Sequence, residues 1–434
     1  MNHPSTPSRF GRRRLLQLAA AGAAATVPAW AAACAPSGSG GATSSGESGG
    51  SGPLTLRSWY FAQEPNNQVF REAIRQFEEG GGRPVEAVGG SYDEYLNQAV
   101  LEGRSRRLAG VVHLDFSWVP AIAALGVLAP LDDVAADAGY SEAGLRLGLH
   151  GDRLVGLPLT TATISMVANT QLLERAGVSE LPATVDAFVT ALDRVRALDG
   201  DLVPYALGTL ASDAKDYIMW MWQFGSTVMD GGTATLGDEP SAAALTWCKE
   251  LLDAGYVAPD VRRADARALF ANERAAFYED AIVARTNATE LSGDPAFGGR
   301  VSPVPRPGLV AGDRPRALLW GNVMGVIDDG DTDAAVELAR YLTTDGDVAR
   351  GLFDGLGLPP STEEGLAAVA DDPYTTAWTE QVTAHADMSP FTAYEQVLQL
   401  EGILGEAIQR VFFGGVPAAE ALGQAADEIE STIA

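Results

Sequence analysis

Residues 54–88, LTLRSWYFAQEPNNQVFREAIRQFEEGGGRPVEAV, contain the pattern of a strand, a helix and a second strand. Apolar and polar residues alternate over residues 54–59, which predicts the first strand. An asparagine at 66 or 67 can cap the helix, whose apolar residues recur at helical spacing until Gly80. Residues 84–88 then predict the second strand. This succession is typical of α/β proteins with parallel sheets.

The same alternation continues along the chain. Residues 110–116 and 318–327 predict further strands, and Thr184 can cap a long amphipathic helix. Helical patterns end the sequence over residues 400–412 and 417–433, and no internal repeat is present. With 434 residues, the chain is too long for one ordinary domain. We therefore predict an α/β protein with two domains and largely parallel sheets.

The N-terminal segment predicts export. Arginines at 9, 12, 13 and 14 precede an apolar stretch over residues 15–33, and no acidic residue occurs before Cys34. A charged region followed by an apolar region and small residues is typical of a secretory signal. The run RRRLL, residues 12–16, resembles a twin-arginine signal. The run AAAC, residues 31–34, resembles a bacterial lipobox, which implies that Cys34 becomes the lipidated first residue.

Residues 35–52 are dominated by glycine, serine, alanine and threonine, a composition typical of a flexible linker. We therefore predict a signal peptide with a lipobox over residues 1–34, a linker over residues 35–52, and a lipid anchor on the outer face of the cytoplasmic membrane. Two alternatives stay open, a plain secretory signal cleaved near Ala33 and a retained membrane-spanning helix. The choice between twin-arginine and general secretory export also stays open.

The charge and the reactive side chains exclude several classes of function. A net charge of −27 makes nucleic acid a poor partner, because phosphate backbones are repelled. The cysteines are Cys34 and Cys248, so no disulfide is predicted for the mature chain, and the four histidines are scattered. No nucleophile elbow, phosphate-binding loop or zinc motif occurs. We therefore predict no metal, no cofactor and no enzymatic activity.

A series of short motifs spans almost the whole of residues 53–434. They are GVLAPLDD (126–133), GLP (156–158), MVANTQLL (166–173), LPATVDAF (181–188), LFANERAAF (269–277), WGN (320–322) and LPPS (358–361). Their order and spacing resemble those of the family 1 extracellular solute-binding proteins of bacterial ABC importers, the group that includes maltose-binding protein. Each motif is weak alone, and the resemblance depends on their succession.

This resemblance implies a two-lobed periplasmic-binding-protein fold of type II, an α/β fold in which a hinge closes two lobes over a ligand in the cleft. The chain is expected to cross between lobes near residues 160–163, 302–305 and 358–361. Lobe 1 is then expected to comprise residues 53–161 and 304–357, and lobe 2 residues 162–303 and 358–434.

Aromatic and polar residues at strand ends are candidates for this cleft, because strand ends face the crevice in open α/β sheets. A sugar has hydroxyl groups that need hydrogen-bond partners and flat C–H faces that suit aromatic rings. Two of these residues have an alternative to a position in the cleft: Trp59 is a candidate for the hydrophobic core, and Asp115 is a candidate for the cap of the next helix. The candidates in the first part of the chain are Trp59, Tyr60, Glu64, Tyr92, Asp115 and Trp118.

The later candidates depend on composition and on the resemblance. The stretch YIMWMWQF, residues 217–224, has more large side chains than packing on one helix face requires, so at least one is expected to face the ligand. Glycine at 321 allows a close approach of the backbone. The later candidates are Trp220, Trp222, Tyr278, Glu279, Asp280, Trp320, Gly321, Asn322, Phe391 and Tyr394.

Taken together, these features predict a lipid-anchored, monomeric protein that captures a mono- or oligosaccharide by lobe closure and delivers it to the subunits of an ABC permease. A first alternative keeps the scaffold but changes the ligand to a polyamine, peptide, phosphodiester or other polar solute. Acidic residues such as Glu64, Asp115 and Glu279 would favour a cationic solute. A second alternative is an exported carbohydrate-active enzyme. That enzyme needs two carboxylates facing each other across a bond, which adjacent residues such as 279 and 280 do not supply.

Overall fold

The computed structural model of the chain describes residues 52–62 and 66–434. The predicted signal peptide, the linker as far as residue 51, the lipidation residue Cys34 and the candidate Glu64 lie outside the described residues. Over the part of the chain that is described, no helix combines the length and the apolar character needed to cross a membrane.

The strands of the described residues are short except for two. They are β1 (Leu54–Arg57), β2 (Val85–Val88), β3 (Val111–Asp115), β4 (Leu149–His150), β5 (Arg153–Leu154), β6 (Gly156–Asn169), β7 (Tyr205–Ala206), β8 (Met229–Asp230), β9 (Thr233–Ala234), β10 (Phe277–Ala281), β11 (Val301–Val304), β12 (Ala317–Val326) and β13 (Ala386–Asp387).

Helices connect and cover these strands. They are α1 (Asn66–Glu79), α2 (Tyr92–Arg104), α3 (Val119–Ala123), α4 (Asp132–Ala135), α5 (Glu142–Leu147), α6 (Thr170–Arg175), α7 (Val185–Arg196), α8 (Ala214–Phe224), α9 (Glu239–Asp253), α10 (Arg263–Ala271), α11 (Ala284–Ser292), α12 (Thr332–Thr344), α13 (Gly346–Leu356), α14 (Glu363–Ala368), α15 (Pro373–Gln381), α16 (Val397–Phe412) and α17 (Ala418–Ile433).

The first strand, helix and strand form as the sequence predicts. Helix α1 begins at Asn66 and ends at Glu79, next to the glycine run. Strands β1 and β2 then pair in parallel. Thr184 caps α7, because its Oγ1 accepts a hydrogen bond from the backbone N–H of Ala187 at 3.2 Å.

The main sheet has the strand order β2-β1-β3-β12-β6-β10-β7, with β11 added to β6 and β13 to β12. Its outer pairs, β2–β1, β1–β3 and β10–β7, are parallel, whereas β12 runs antiparallel to both β3 and β6, and β6 runs antiparallel to β10. The sheet is therefore mixed, and the prediction of largely parallel sheets was wrong for its centre.

Strands β6 and β12 extend through both ends of the sheet. Residues at the start of β6 pair with the part of β12 that lies beside β3, whereas residues 164–169 of β6 pair with β10 and β11. All residues of β6 are buried. Because strand side chains alternate between faces, β6 supplies Met166 to one hydrophobic cluster and Val167 to the other.

The lobe boundaries remain a prediction, with one difference in detail. Residues 302–305 were expected to cross between lobes, but β11 stays beside residues 166–169 of β6. Beyond it, β12 passes from the end of β6 near Ile164 to the neighbourhood of β3, with a register shift after Asn322. A third segment lies against the same place, since Pro359 accepts a hydrogen bond from the backbone N–H of Thr161.

Candidate functional site

A cavity of about 980 Å³ lies at this junction. One wall comes from the segments that follow β1 and β2 and from β12, and the opposite wall from α8, α10, β10 and α11. Leu356 and Leu358, next to the third crossing segment, also line it. The cavity therefore sits where two long strands and a third segment connect the two ends of the sheet.

Aromatic side chains line the first wall. Trp59 and Tyr60 occupy a 3-10 turn directly after β1, Tyr92 is the first residue of α2, and Trp320 lies in the middle of β12. The sequence analysis predicted each of these positions for the cleft, and the structure brings them together on one side of the cavity. Their rings offer flat apolar faces of the kind that the C–H faces of a sugar can contact.

Asp115 holds two of these aromatic side chains in place. Its Oδ2 accepts hydrogen bonds from the Tyr92 hydroxyl and the Trp320 Nε1–H, both at 3.0 Å. Its Oδ1 accepts from the backbone N–H and the hydroxyl of Ser117, at 3.0 and 2.7 Å, so it also caps the following turn. Because the residue is fully buried and does not line the cavity, it supports the wall from behind.

Trp59 is supported by a second set of buried rings. His113 stacks on it with ring centroids 3.8 Å apart and planes within 13°, and Trp118 and Tyr95 pack edge-on against it. Burial lowers the pKa of His113 well below its ordinary value, so the ring is neutral. Trp118, predicted for the cleft, therefore belongs to the packing behind Trp59.

The opposite wall is charged. Lys215 near the start of α8 and Arg263 and Arg267 on α10 line it together with Asp213 and Asp280. Arg267 donates from Nε and Nη2 to both oxygens of Asp280, at 2.7 and 2.8 Å. This places Asp280, a predicted site residue, on the cavity but in an ion pair.

Buried carboxylates orient the other two cations. Arg263 donates to Asp216, which is fully buried, and to the backbone oxygen of Glu279 at 2.7 Å. The Nζ of Lys215 lies 3.8 Å from Glu401. The hydrogen bonds of Arg263 fix the direction of its side chain before any ligand arrives, which lowers the entropy lost on binding.

In this wall, burial shifts the pKa values of the charged groups in one direction, and neighbouring groups of opposite charge shift them in the other. Burial by itself would raise the pKa of Asp280, but the Arg267 guanidinium holds it below its ordinary value. Burial raises the pKa of Asp216 and of Asp213, against the opposing effect of Arg263. For Lys215, burial is outweighed by Glu401 and Asp115, which raise its pKa and keep the ammonium charged.

Several predicted site residues lie away from the cavity. Trp220 is fully buried, and its Nε1–H donates to Tyr205. Glu279 is also buried, in a two-bond ion pair with Arg306 at 2.8 and 2.9 Å. Tyr278 is buried and donates to Asp280 at 3.1 Å. None of residues 217–224, expected to present a side chain to the ligand, lines this cavity, because α8 is packed against α9 and α16 and almost all of it is buried.

The remaining candidates have supporting or distant positions. Asn322 is buried, and its Nδ2 donates to the Tyr60 hydroxyl at 3.3 Å, which orients a residue of the aromatic wall. Gly321 approaches the partner strand β6, since a Cβ there would lie 2.2 Å from the Thr160 oxygen. None of the other three lines the cavity described here; these are Trp222, Phe391 and Tyr394.

The sequence analysis missed the basic residues of the second wall. Arg263 and Arg267 are four residues apart and so share one face of α10, a spacing that could have indicated a paired site. Lys215 is one of only two lysines in the chain. Neither signal identifies a cleft without the fold. Among the described residues, no cluster of histidine, cysteine and acidic side chains is arranged to hold a metal ion.

Comparison with known protein families gives one family match. The model of the bacterial extracellular solute-binding protein family matches residues 72–382, which is more than half of the chain. A curated relative from Brucella abortus strain 2308, named as a binding protein, is 23% identical over 249 residues. That match covers 56% of this chain and 60% of the relative, so the chain spans somewhat over half of the relative's length.

Solved structures share the fold. A solute-binding protein of an ABC transporter from Thermotoga lettingae, bound to α-D-tagatose, is 19% identical and covers 88% of this chain and 100% of its own, with a TM-score of 0.78. The GacH receptor of Streptomyces glaucescens, solved unliganded and with acarbose, is 19% identical and covers 88% of this chain and 98% of its own, with a TM-score of 0.77. The maltotriose-binding protein of Thermus thermophilus is 20% identical and covers 88% of this chain and 100% of its own, with a TM-score of 0.73. The predicted two-lobed periplasmic-binding-protein fold is confirmed.

Proposed function

Because this chain belongs to the family of bacterial extracellular solute-binding proteins, we propose that it captures a carbohydrate in the cavity and delivers it to an ABC permease. The observation that supports this most strongly is the pairing of an aromatic wall with a polar, charged wall across one cavity. A desolvated sugar needs hydrogen-bond partners for its hydroxyl groups and apolar contact for its ring faces. The charged wall offers the hydrogen-bond partners, and the aromatic wall offers the apolar contact.

The size of the cavity favours an oligosaccharide. Ligand pockets in proteins hold roughly 300–1,000 Å³, and this one, at about 980 Å³, is at the upper end of that range. Among the structural relatives, the proteins from Thermus thermophilus and Streptomyces glaucescens are described with maltotriose and acarbose. We extend that ligand class, but not the individual sugars, to this chain.

Capture by closure of two lobes is part of the proposal. The two walls are carried by opposite ends of the sheet, and β6, β12 and the segment at residues 358–361 connect those ends. A small rotation within these connections would move the charged wall towards the aromatic wall and exclude water from the ligand. The first segments of the two lobes would then be close to the predicted residues 53–161 and 162–303. The chain would cross back from lobe 2 to lobe 1 within β12.

The cellular setting is also proposed. We infer export through residues 1–34, lipidation at Cys34 and attachment to the outer face of the membrane by the linker of residues 35–52. The partners would be the permease subunits and the lipid bilayer, and the protein would act as a monomer. It would bind and release its ligand without a cofactor and without chemical conversion.

A thermal-shift screen against saccharides, polyamines and amino acids tests this function. A ligand that binds only the folded state raises the unfolding midpoint, so we expect a shift from a saccharide that Trp320→Ala abolishes. Trp222→Ala, which removes a tryptophan outside the cavity, is the matched control and should retain the shift. A shift from polyamines or amino acids alone would overturn the carbohydrate assignment, and turnover of the saccharide would overturn the binding assignment.

A further inference from the structure

We propose that the carbohydrate bound in this cavity has an acidic substituent, a carboxylate or a phosphate ester, and that Lys215, Arg263 and Arg267 bind it. This inference rests on the proposed function, because it names the chemical class of the ligand of the same cavity. It depends on which groups of the charged wall remain able to make hydrogen bonds to a ligand.

The three cations face the cavity, and the carboxylates paired with them are less exposed than the cations are. The side chains of Lys215 and Arg263 are each 21% exposed and that of Arg267 is 33% exposed. The side chains of Asp216 and Asp280, which pair with the arginines, are each only 2% exposed. A ligand that enters the cavity therefore finds more exposed surface on these cations than on the carboxylates that pair with them.

These cations also keep unused donors. Arg267 uses Nε and Nη2 for Asp280, and its Nη1 makes no hydrogen bond to any other described residue. Arg263 uses both Nη atoms, and its Nε is likewise without a partner within residues 52–62 and 66–434. The Nζ of Lys215 approaches Glu401 only to 3.8 Å, too far for a hydrogen bond. N–H groups on rigid, charged side chains are the strongest partners for a carboxylate or phosphate oxygen.

Three acidic residues that the sequence analysis assigned to the cleft, Glu279, Asp280 and Asp115, have little accepting capacity left for a cationic solute. Glu279 accepts two bonds from Arg306 and a third from Tyr205. Asp280 accepts from Arg267, from Tyr278 and from the backbone of Ala281. Asp115 is occupied by Tyr92, Trp320 and Ser117, as described above. The carboxylates that would favour a polyamine on the sequence alone are thus engaged within the protein.

Two further acidic residues line the cavity and do not reverse this preference. Asp213 is almost fully buried, and burial raises its pKa, so it holds its negative charge less strongly than an exposed aspartate. Glu290 is exposed, where water and salt screen its charge. Hydrogen-bonding capacity therefore distinguishes the ligand classes better than net charge does. The wall presents a surplus of donors, and an anionic oxygen group is the complement of that surplus.

Calorimetric titration of the full chain with matched saccharides tests the inference. The neutral probes are glucose and galactobiose, and the acidic probes are glucuronic acid, glucose 6-phosphate and digalacturonic acid. We expect at least one acidic probe to bind about tenfold or more tightly than its neutral counterpart, as one or two charge-assisted hydrogen bonds would give. The carboxylate and phosphate probes separate the two sources of the charge. Binding should weaken as salt is raised.

Variants assign the effect to the basic wall. Arg267→Gln and Lys215→Gln should each reduce binding of the acidic probe about tenfold and reduce binding of its neutral counterpart much less. Lys215→Gln tests the inference even if Arg267→Gln, which leaves buried Asp280 unpaired, fails to fold. Arg300→Gln is the matched control, since Arg300 also forms partly buried ion pairs but does not line the cavity.

The outcomes separate this inference from the proposed function. Neutral saccharides that bind as tightly as their acidic counterparts would overturn the inference and leave the function standing. Acidic probes whose binding is unchanged in both variants would also overturn it. If no neutral or acidic saccharide bound, and the wider thermal-shift screen gave no saccharide, the carbohydrate function itself would be wrong.

Discussion

The protonation state of the buried His113 affects the packing of the aromatic wall. Its Nδ1 lies 2.8 Å from the Ser58 hydroxyl, which also accepts the backbone N–H of Tyr60. Either tautomer of the neutral imidazole fits this contact, because the Ser58 hydroxyl can donate to Nδ1 or accept from it. The neutral ring stacks under Trp59, and a protonated ring would put a charge into an apolar cluster.

The stability of the protein should therefore fall in mild acid. An unfolded histidine takes up a proton near pH 6.5, whereas burial lowers the pKa of His113 in the folded state well below that. The unfolded state binds more protons below about pH 6.5, so the free energy of unfolding should decrease by up to about 1.4 kcal/mol per pH unit. His113→Phe should remove this part of the slope between pH 7.5 and pH 5. Urea denaturation at a series of pH values measures it, and an unchanged slope would contradict the assignment.

The sequence predicted the aromatic wall but not the basic one, for a physical reason. Trp59, Tyr60 and Tyr92 follow predicted strands, and the end of a strand fixes which side chains reach the crevice. Arg263 and Arg267 lie on a helix whose facing direction depends on distant partners, Asp216 and Asp280. Those pairings join different elements, at separations of 47 and 13 positions, and the sequence does not show which elements meet.

Among the helices, α16 shows how packing positions the site. Gly405 lies against the 3-10 turn Ala211–Asp213, which carries Asp213 to the cavity. A Cβ at Gly405 would lie 2.2 Å from the backbone oxygen of Ala211, whereas a Cβ at Gly402, in the same helix, would meet nothing within 4 Å. One glycine of α16 is thus required for close contact and the other is not.

Alanine substitutions at these two glycines should have opposite effects. Gly405→Ala should lower the free energy of unfolding by about 1–3 kcal/mol, because the helix or the turn must shift. Gly402→Ala should raise it by about 0.5–1 kcal/mol, because glycine is unfavourable in a helix interior. Denaturant unfolding of both variants measures this. Equal effects of the two substitutions would contradict the packing described for α16.

Helix α8 marks the limit of what periodicity can predict. Its sequence is apolar on all sides, and we expected the excess of aromatic side chains to reach a ligand. The structure buries them instead, because α9, α16 and the sheet enclose the helix. A sequence pattern identifies a helix with one apolar face, but it does not show whether a helix that is apolar all round is enclosed by protein or open to a cleft.

For the molecule as a whole, the fold was predictable where many weak signals agreed. The succession of strands and helices predicted the α/β class, and the ordered motifs predicted two lobes. The mixed sheet was not predictable, since the directions of β6 and β12 depend on pairings between residues about 160 positions apart. The place where the chain returns between the lobes stays a prediction for the same reason.

The proposed lipid anchor at Cys34 gives a prediction for the whole chain in the cell. If Cys34 is lipidated, Cys34→Ser should release the protein into the medium or the soluble exported fraction and leave its ligand affinity unchanged. Fractionation followed by immunoblotting measures the distribution, and titration of the released protein measures the affinity. A Cys34→Ser protein recovered in the membrane fraction would show that another feature of the chain holds it there.

The most direct test of the account is the crystal structure of the chain with the saccharide that gives the largest thermal shift. We predict that a sugar ring contacts Trp59 or Trp320 and that its polar groups bind Lys215, Arg263 or Arg267. We also predict that the two walls lie closer together than in the structure described here. A saccharide bound elsewhere on the surface, with this cavity empty, would contradict the account.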